Sequence, residues 1–122
     1  MQKIIYVGLG GCIGAVVRYL VSSKISGAQI PLGTLFVNVL GGFLIGVIME
    51  MCISTEFIPP NLRLFLTTGV LGGLTTFSTF SYETVRLFGE GKLKFAIINI
   101  FLNLLLCLGG VLLGQYMTAK LI

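Results

Sequence analysis

The sequence predicts an all-α integral membrane protein with four transmembrane helices, the third of which is broken near its middle. Three observations support this. Of the 122 residues, 56% are hydrophobic and only 10% are charged, against about 25% in a typical soluble domain, so bilayer is the expected solvent. Four apolar stretches each approach the roughly 20 residues that cross a bilayer. The third stretch contains glycine and hydroxyl residues that disfavour a continuous helix.

The apolar stretches and their short connecting loops take up the whole chain, which predicts one domain, residues 1–122. The predicted spans are residues 4–21, 32–53, 62–88 and 95–118. The first stretch follows Lys3 as a secretory signal does, but it is rich in glycine, contains Arg18 and has no small-x-small cleavage site before Lys24. We therefore predict that it is retained as a helix.

Glycines recur four residues apart in three of the predicted spans, as the pairs Gly10 and Gly14, Gly42 and Gly46, and Gly110 and Gly114. Such pairs let helix backbones approach closely in lipid, where no hydrophobic drive brings helices together. Residues 8–14 superficially resemble a dinucleotide-binding fingerprint, but no strand precedes them and no acidic residue follows at the required distance. The pattern therefore predicts helix packing.

The third span carries the most unusual pattern, a glycine pair at Gly72 and Gly73 followed by five hydroxyl residues between Thr75 and Ser81. A broken membrane helix is tolerated only where its backbone is buried in protein or lines a cavity. Unwound carbonyls at such a break can hold a desolvated Na⁺. The alternative is a packing and kink motif, since Ser and Thr hydroxyls can bond the preceding turn. We favour the functional interpretation because many polar groups converge there.

Phe77 and Phe80 lie three residues apart after the predicted break and therefore share one helix face. The edge of an aromatic ring is positive, so two ring edges can form a wall that tolerates an anion without a fixed charge. Such a wall would bind a small anion weakly enough to release it. Spacing alone equally describes ordinary lipid-facing or core phenylalanines, and the surrounding hydroxyls favour the anion wall.

Polar residues also occur inside the other spans. Asn38 lies in the second span, where its amide can join helices by hydrogen bonds or donate to an anion. Asn99, Asn103 and Cys107 form one stripe on the fourth span, which either bonds between helices or lines an aqueous vestibule. Arg18 either extends to the membrane interface or concentrates anions at a pore mouth.

Composition argues against several classes of protein. The chain has no histidine and no cluster of metal-ligating residues, so we predict that it is not an enzyme. Its net charge of +4 comes from residues at span ends rather than from a basic patch, so we predict no nucleic-acid partner. The three cysteines have no paired spacing, which argues against a disulfide or zinc site.

The basic residues are almost balanced between the two sides of the predicted bundle. Three would lie on one side (Lys3, Arg63 and Lys120) and four on the other (Lys24, Arg86, Lys92 and Lys94), with Arg18 nearer the second group. Positive-inside asymmetry normally sets orientation. The balance is compatible with insertion in both orientations, and hence with an antiparallel dimer, or with one weakly specified orientation. Charge alone does not separate these alternatives.

At these positions the sequence resembles the Fluc (CrcB) fluoride-channel family over essentially all four spans. The resemblance is carried by residues 11–15 with Arg18 and Tyr19, by residues 33–38 with Gly41, and above all by residues 72–80. It implies an antiparallel, dual-topology homodimer in the plasma membrane (the cell inner membrane). Such a dimer exports fluoride passively through two pores, which limits fluoride toxicity, and holds one central structural Na⁺.

The resemblance also implies roles for individual residues. Gly72 and Thr75 would offer backbone carbonyls to the Na⁺, and Arg18 would stand at the vestibule. The implied pore residues are Asn38, Phe77, Ser78, Thr79, Phe80, Asn99 and Asn103. Family members often have Tyr and Ser where this chain has Asn99 and Asn103, so the details of that part of the polar track stay open.

Two other functions are alternatives to the fluoride channel. A small multidrug-type proton-coupled antiporter also has four spans and dual topology, but it needs a membrane-embedded acid in its first helix, and this chain has none there. A non-transporting assembly protein held together by glycine faces is the third possibility. Replacing Phe80 should separate it from a channel, because only a channel loses flux while assembly persists.

Overall fold

The computed structural model describes residues 1–26 and 28–122, and every regular element in them is helical. The helices are α1 (Gln2–Lys24), α2 (Leu32–Ser54), α3 (Pro60–Leu64), α4 (Gly72–Leu74), α5 (Phe77–Gly89) and α6 (Leu93–Leu121), and a π-helical segment, Phe65–Leu71, joins α3 to α4. The predicted all-α architecture is therefore confirmed. The π-helical segment was not predicted, because its sequence differs little from that of an apolar α-helix.

Within the described residues, three helices are long and apolar enough to cross a membrane, namely α1, α2 and α6. The third predicted span is two consecutive helical pieces, residues 60–74 and α5. With 13 residues, α5 falls short of the roughly 20 that a straight span needs. The chain is thus a multi-pass membrane protein whose third apolar stretch is bent.

The bend lies at Thr75 and Thr76, whose backbones are extended (φ −91°, ψ 154° and φ −153°, ψ 121°). The predicted break is confirmed, but it falls after the glycine pair, since Gly72 and Gly73 are still helical. The N–H and the hydroxyl of Thr75 both donate to the Leu71 carbonyl oxygen, at 3.0 and 2.9 Å. These two hydrogen bonds close the last helical turn before the break. Thr76, which follows, is β-branched and favours extended backbone.

Two pairs of helices pack backbone to backbone through the predicted glycine pairs. In α1, a Cβ on Gly10 would lie 2.5 Å from the Phe65 carbonyl oxygen, and one on Gly14 would overlap the Val70 carbonyl. In the second pair, a Cβ on Gly42 of α2 would lie 2.9 Å from the Cys107 carbonyl oxygen of α6. The prediction that these glycines serve helix packing is confirmed, and residues 8–14 are helical rather than a phosphate loop.

Gly46, Gly110 and Gly114 continue the contact between α2 and α6, which joins residues 39–47 of α2 to residues 107–114 of α6. A tight turn then places α5 beside the first turns of α6. In this turn Gly91 has a left-handed φ of 76°, and the Lys92 N–H donates to the Leu87 carbonyl oxygen at 2.9 Å. Because the turn is short, the middle of α5 lies against the buried face of α6 that carries Asn99.

Candidate functional site at the break in the third helix

The extended backbone at the break is paired by a side chain from α2. The Thr76 N–H donates to Asn38 Oδ1 at 2.8 Å, and Asn38 Nδ2 donates to the Thr76 carbonyl oxygen at 3.1 Å. One amide therefore satisfies both backbone groups of Thr76, as a neighbouring β-strand would. Unpaired backbone groups are costly in lipid, so Asn38 makes the break possible.

A chain of hydrogen bonds continues from Asn38 into α6. Asn38 Nδ2 also donates to Asn103 Oδ1 at 3.2 Å. Asn103 Nδ2 donates to the backbone and side-chain oxygens of Asn99, at 2.9 and 3.1 Å. Asn99 Nδ2 donates to Thr84 Oγ1 at 2.9 Å, and the Thr84 hydroxyl donates to the Phe80 carbonyl oxygen at 2.8 Å. This chain of hydrogen bonds thus connects the break at Thr76 to Phe80. From Asn38 onward, each residue in it donates to the next.

The N-terminus of α5 gathers the predicted hydroxyl residues. The Thr76 hydroxyl caps the helix by accepting from the Thr79 N–H at 3.2 Å. The same oxygen lies 3.2 Å from Thr79 Oγ1 and 3.3 Å from Ser78 Oγ. The first N–H groups of a helix have no acceptor within it, and the helix dipole makes this end favourable for negative charge. The start of α5 therefore has a chemistry suited to an anion.

Phe77 and Phe80 form a tilted pair, with ring centroids 5.4 Å apart and an angle of 55° between the ring planes. Their surroundings differ sharply, since Phe77 is 74% exposed and Phe80 only 7%. The prediction that the two rings lie together is confirmed by this contact. Which ring edges meet an anion stays a prediction.

A groove of about 390 Å³ opens beside the break, between α2, the two pieces of the third stretch and α6. Six of the predicted site residues border it, namely Asn38, Gly72, Thr75, Phe77, Phe80 and Asn103. The remaining wall is largely apolar. Ser78 and Thr79 stand at the helix cap beside the groove, whereas Asn99 does not border it and is fully buried behind Asn103.

Arg18 approaches the break from α1. Its Nε–H donates to the Gly73 carbonyl oxygen at 2.9 Å, and the side chain is partly buried. The helical piece of residues 60–74 ends one residue after Gly73. The guanidinium therefore offsets the negative end of that helix dipole and donates to one of the carbonyls left without a partner at a helix end. The side chain is thus directed into the protein, and its implied place at a vestibule stays a prediction.

The carbonyl oxygens of Gly72 and Thr75 receive no hydrogen bond from any described residue. By contrast, Arg18 occupies the Gly73 oxygen and Thr75 occupies the Leu71 oxygen. Two free carbonyls beside a groove are neutral, hard ligands of the kind that suits Na⁺. Among the described residues, no three His, Cys, Asp or Glu side chains come together to form a conventional metal site. The carbonyl pair fits such an ion only in part, because two ligands do not complete a coordination shell.

Thr84 is a residue of the site that was missed in the sequence. Thr84 links α5 to α6, and its position eight residues after Thr76 and four after Phe80 places all three on one helix face. That spacing was available as a signal. Glu83 has a buried carboxylate oxygen, Oε1, without a partner among the described residues. No sequence pattern distinguishes Glu83 from a carboxylate at a helix end.

Comparison with known proteins gives one family and many relatives. The model of the family described as CrcB-like protein, Camphor Resistance (CrcB) matches residues 5–115. A protein of Clostridium perfringens named Fluoride-specific ion channel FluC is 50% identical, over 94% of each chain. Proteins of the same name from Ruminiclostridium cellulolyticum and Geobacter metallireducens are 49% and 48% identical. They cover 100% and 98% of this chain, and 95% and 98% of their own lengths is matched.

Proposed function

The chain belongs to the CrcB family, and on that basis we propose that it is a passive, fluoride-selective channel of the plasma membrane. It lets F⁻ leave the cytoplasm down its gradient and so limits fluoride toxicity. Relatives of about half-identical sequence carry the name of a fluoride channel along nearly their whole length.

The observation that carries the proposal is the paired break, which brings the N-terminus of α5 to the groove bordered by Phe77 and Phe80. Fluoride is small and strongly hydrated, so a pathway must replace its water with hydrogen-bond donors. Hydroxyls at the cap of α5, from Ser78 and Thr79, can donate in this way. The ring edges of the phenylalanine pair add a weak positive field that does not trap the ion.

Asn38 and Asn103 border the groove, but their amide hydrogens are already engaged within the protein. Asn38 donates both to Thr76 and to Asn103. In the proposed channel, these amides hold the pathway open and donate to an anion only by exchanging one of those bonds. Arg18, at the other side of the break, raises the local potential for anions.

The functional unit we propose is an antiparallel homodimer in which residues 60–89 complete a fourth, broken crossing. Near-equal numbers of basic residues at the two sides allow both orientations. The free carbonyls of Gly72 and Thr75 provide two ligands, and a second copy related by a two-fold axis provides two more. A Na⁺ at that axis would supply a structural charge that links the copies, and two pores would flank it.

Reconstitution tests the proposal directly. Purified protein in liposomes loaded with KF should release F⁻ to an electrode once valinomycin relieves the electrical potential. Liposomes loaded with KCl are the matched control and should release no Cl⁻ under the same conditions. Absence of F⁻ release, or an equal release of Cl⁻, contradicts the proposal. Transport of an organic cation driven by a proton gradient would instead support an antiporter.

A further inference from the structure

We infer that Asn99 is a positioning residue for anion passage, which acts on the phenylalanine pair through Thr84 and does not itself contact the anion. The inference rests on the proposed function. It concerns a position at which this chain has an asparagine in the middle of a buried helix face. The inference differs from the pore-lining role that the family resemblance implied for Asn99.

Asn99 is fully buried and lies away from the groove. Its exposed fraction is 0%, and it does not border the groove, whereas Asn103, one turn away, does border it. An ion in the groove would therefore meet Asn103 and Phe80 but not the amide of Asn99. A buried amide in lipid must find partners within the protein, and Asn99 finds them on two sides.

The first partner lies on α5. Asn99 Nδ2 donates to Thr84 Oγ1 at 2.9 Å, which leaves the Thr84 hydroxyl hydrogen to donate to the Phe80 carbonyl oxygen at 2.8 Å. Thr84 is itself only 6% exposed, so water does not compete for these bonds. Together the two bonds fix the turn that carries Phe80 against α6.

The second partner leads back to the break. Both oxygens of Asn99 accept from Asn103 Nδ2, and Asn103 accepts from Asn38, which pairs with Thr76. The segment of α5 that carries the phenylalanines is consequently held before it, at Thr76, and after it, at Thr84. Asn99 is the junction of these two restraints. Loss of its amide frees Thr84 on one side and Asn103 on the other.

Because Asn99 and Thr84 are both buried and neither borders the groove, the effect of Asn99 on the anion is indirect and depends on Thr84. A double-mutant cycle tests this dependence. The variants are Asn99→Leu, Thr84→Val and the double variant, which keep approximate side-chain volume and remove the bonding groups. We expect each single change to slow F⁻ efflux by roughly tenfold and the double change to slow it no further, because both remove one interaction.

Two further variants act as controls in the same assay. Thr84→Ser retains the hydroxyl, so the acceptor for Asn99 is kept. Its F⁻ efflux should lie within about twofold of the wild-type rate. Thr118→Val removes a hydroxyl that is equally buried, at 6% exposed, near the other end of α6. It should leave efflux unchanged. If losses from the two single variants multiply in the double, Asn99 acts on the anion independently of Thr84 and the inference is overturned.

A readout that does not depend on transport separates this inference from the proposed function. In protein carrying 4-fluorophenylalanine at position 80, Asn99→Leu and Thr84→Val should shift the ¹⁹F resonance by the same amount and in the same direction. A shift without any F⁻ efflux from wild-type liposomes would contradict the channel while keeping the positioning relationship. An unshifted resonance overturns the positioning relationship even if the wild type conducts.

Discussion

The side-chain amide of Asn38 pairs with both the N–H and the carbonyl of Thr76, at 2.8 and 3.1 Å, across 38 positions of sequence. This pairing lets two extended residues exist inside an apolar helical bundle. It ties the end of one helical piece and the start of the next to a single side chain of α2.

Replacing Asn38 with Leu should destabilise the protein by about 2–4 kcal/mol, because two backbone groups of Thr76 lose their partners in a buried setting. Asn38→Asp places a carboxylate oxygen against the Thr76 carbonyl oxygen and Asn103 Oδ1, which now accept from Asn38, so it should destabilise at least as much as Asn38→Leu. Thermal unfolding in detergent, followed by the loss of the monodisperse size-exclusion peak, measures the effect. Asn61→Leu at the start of the third stretch is the control. Equal melting of Asn38→Leu and the wild type would contradict the pairing role.

The glycine contacts predict a steep contrast between neighbouring positions of α1. Gly14→Ala should destabilise by roughly 2 kcal/mol or more, because the new methyl overlaps the Val70 carbonyl and the backbones must separate. Gly8→Ala has no atom within 4 Å of the new methyl and should be neutral or stabilising by up to about 1 kcal/mol. The same unfolding assay compares them. A destabilising Gly8→Ala of equal size would show that a different surface packs on α1.

Substitution of the two phenylalanines should separate conduction from stability. Phe77 is 74% exposed, so Phe77→Ile should leave the unfolding temperature almost unchanged while F⁻ efflux falls. Phe80 is 7% exposed, and Phe80→Ile should lower efflux and also cost about 1–2 kcal/mol of stability. Efflux and dimer content, the latter by glutaraldehyde cross-linking, are measured on each variant. Unchanged efflux in both variants would remove the phenylalanine pair from the pathway.

Arg18 should contribute through its charge and through its bond to Gly73. Arg18→Gln should destabilise by about 1–2 kcal/mol, since a charge-assisted hydrogen bond at a helix C-terminus is lost. Arg63→Gln removes an exposed charge near the start of the same helical piece and should have little effect on stability. If the two variants unfold alike, the contact between Arg18 and Gly73 carries no stabilisation.

The proposed Na⁺ site predicts a cation dependence. Exchange of Na⁺ for N-methylglucamine, which is too large to sit between carbonyl oxygens, should reduce the dimer fraction or the F⁻ efflux rate. Returning Na⁺ should restore both. The carbonyls of Gly72 and Thr75 belong to the backbone, so no side-chain substitution replaces this test. Insensitivity of dimer fraction and efflux to the exchange contradicts a structural cation.

Much of the fold follows from local pattern. Apolar length predicted α1, α2 and α6, and the spacing of Gly10 and Gly14 predicted a close helix contact, because both patterns depend only on neighbouring residues. The break was predicted in the right stretch, before Phe77, but not assigned to a particular residue between the glycine pair and the hydroxyl residues. Its actual position depends on Asn38, which is far away in sequence and supplies the partner for Thr76.

The role of Asn99 was beyond local pattern for the same reason. Its position on a polar stripe was visible, yet lining a cavity and bonding to another helix produce the same stripe. Only the packing of α5 on α6 shows that its amide meets Thr84. The π-helical segment was likewise invisible, because its sequence differs little from that of an apolar α-helix.

The backbone-to-backbone contacts divide the molecule into two stiff slabs, α1 with residues 60–74 and α2 with α6. Within each slab the glycine backbones lie directly against carbonyl groups of the partner helix, which leaves little room for one helix to move toward the other. A bilayer whose hydrocarbon layer is thicker or thinner than the protein must therefore tilt whole slabs or bend the short helix α5. Because α5 carries the phenylalanine pair, we expect lipid chain length to alter the activity of this protein more than its folding.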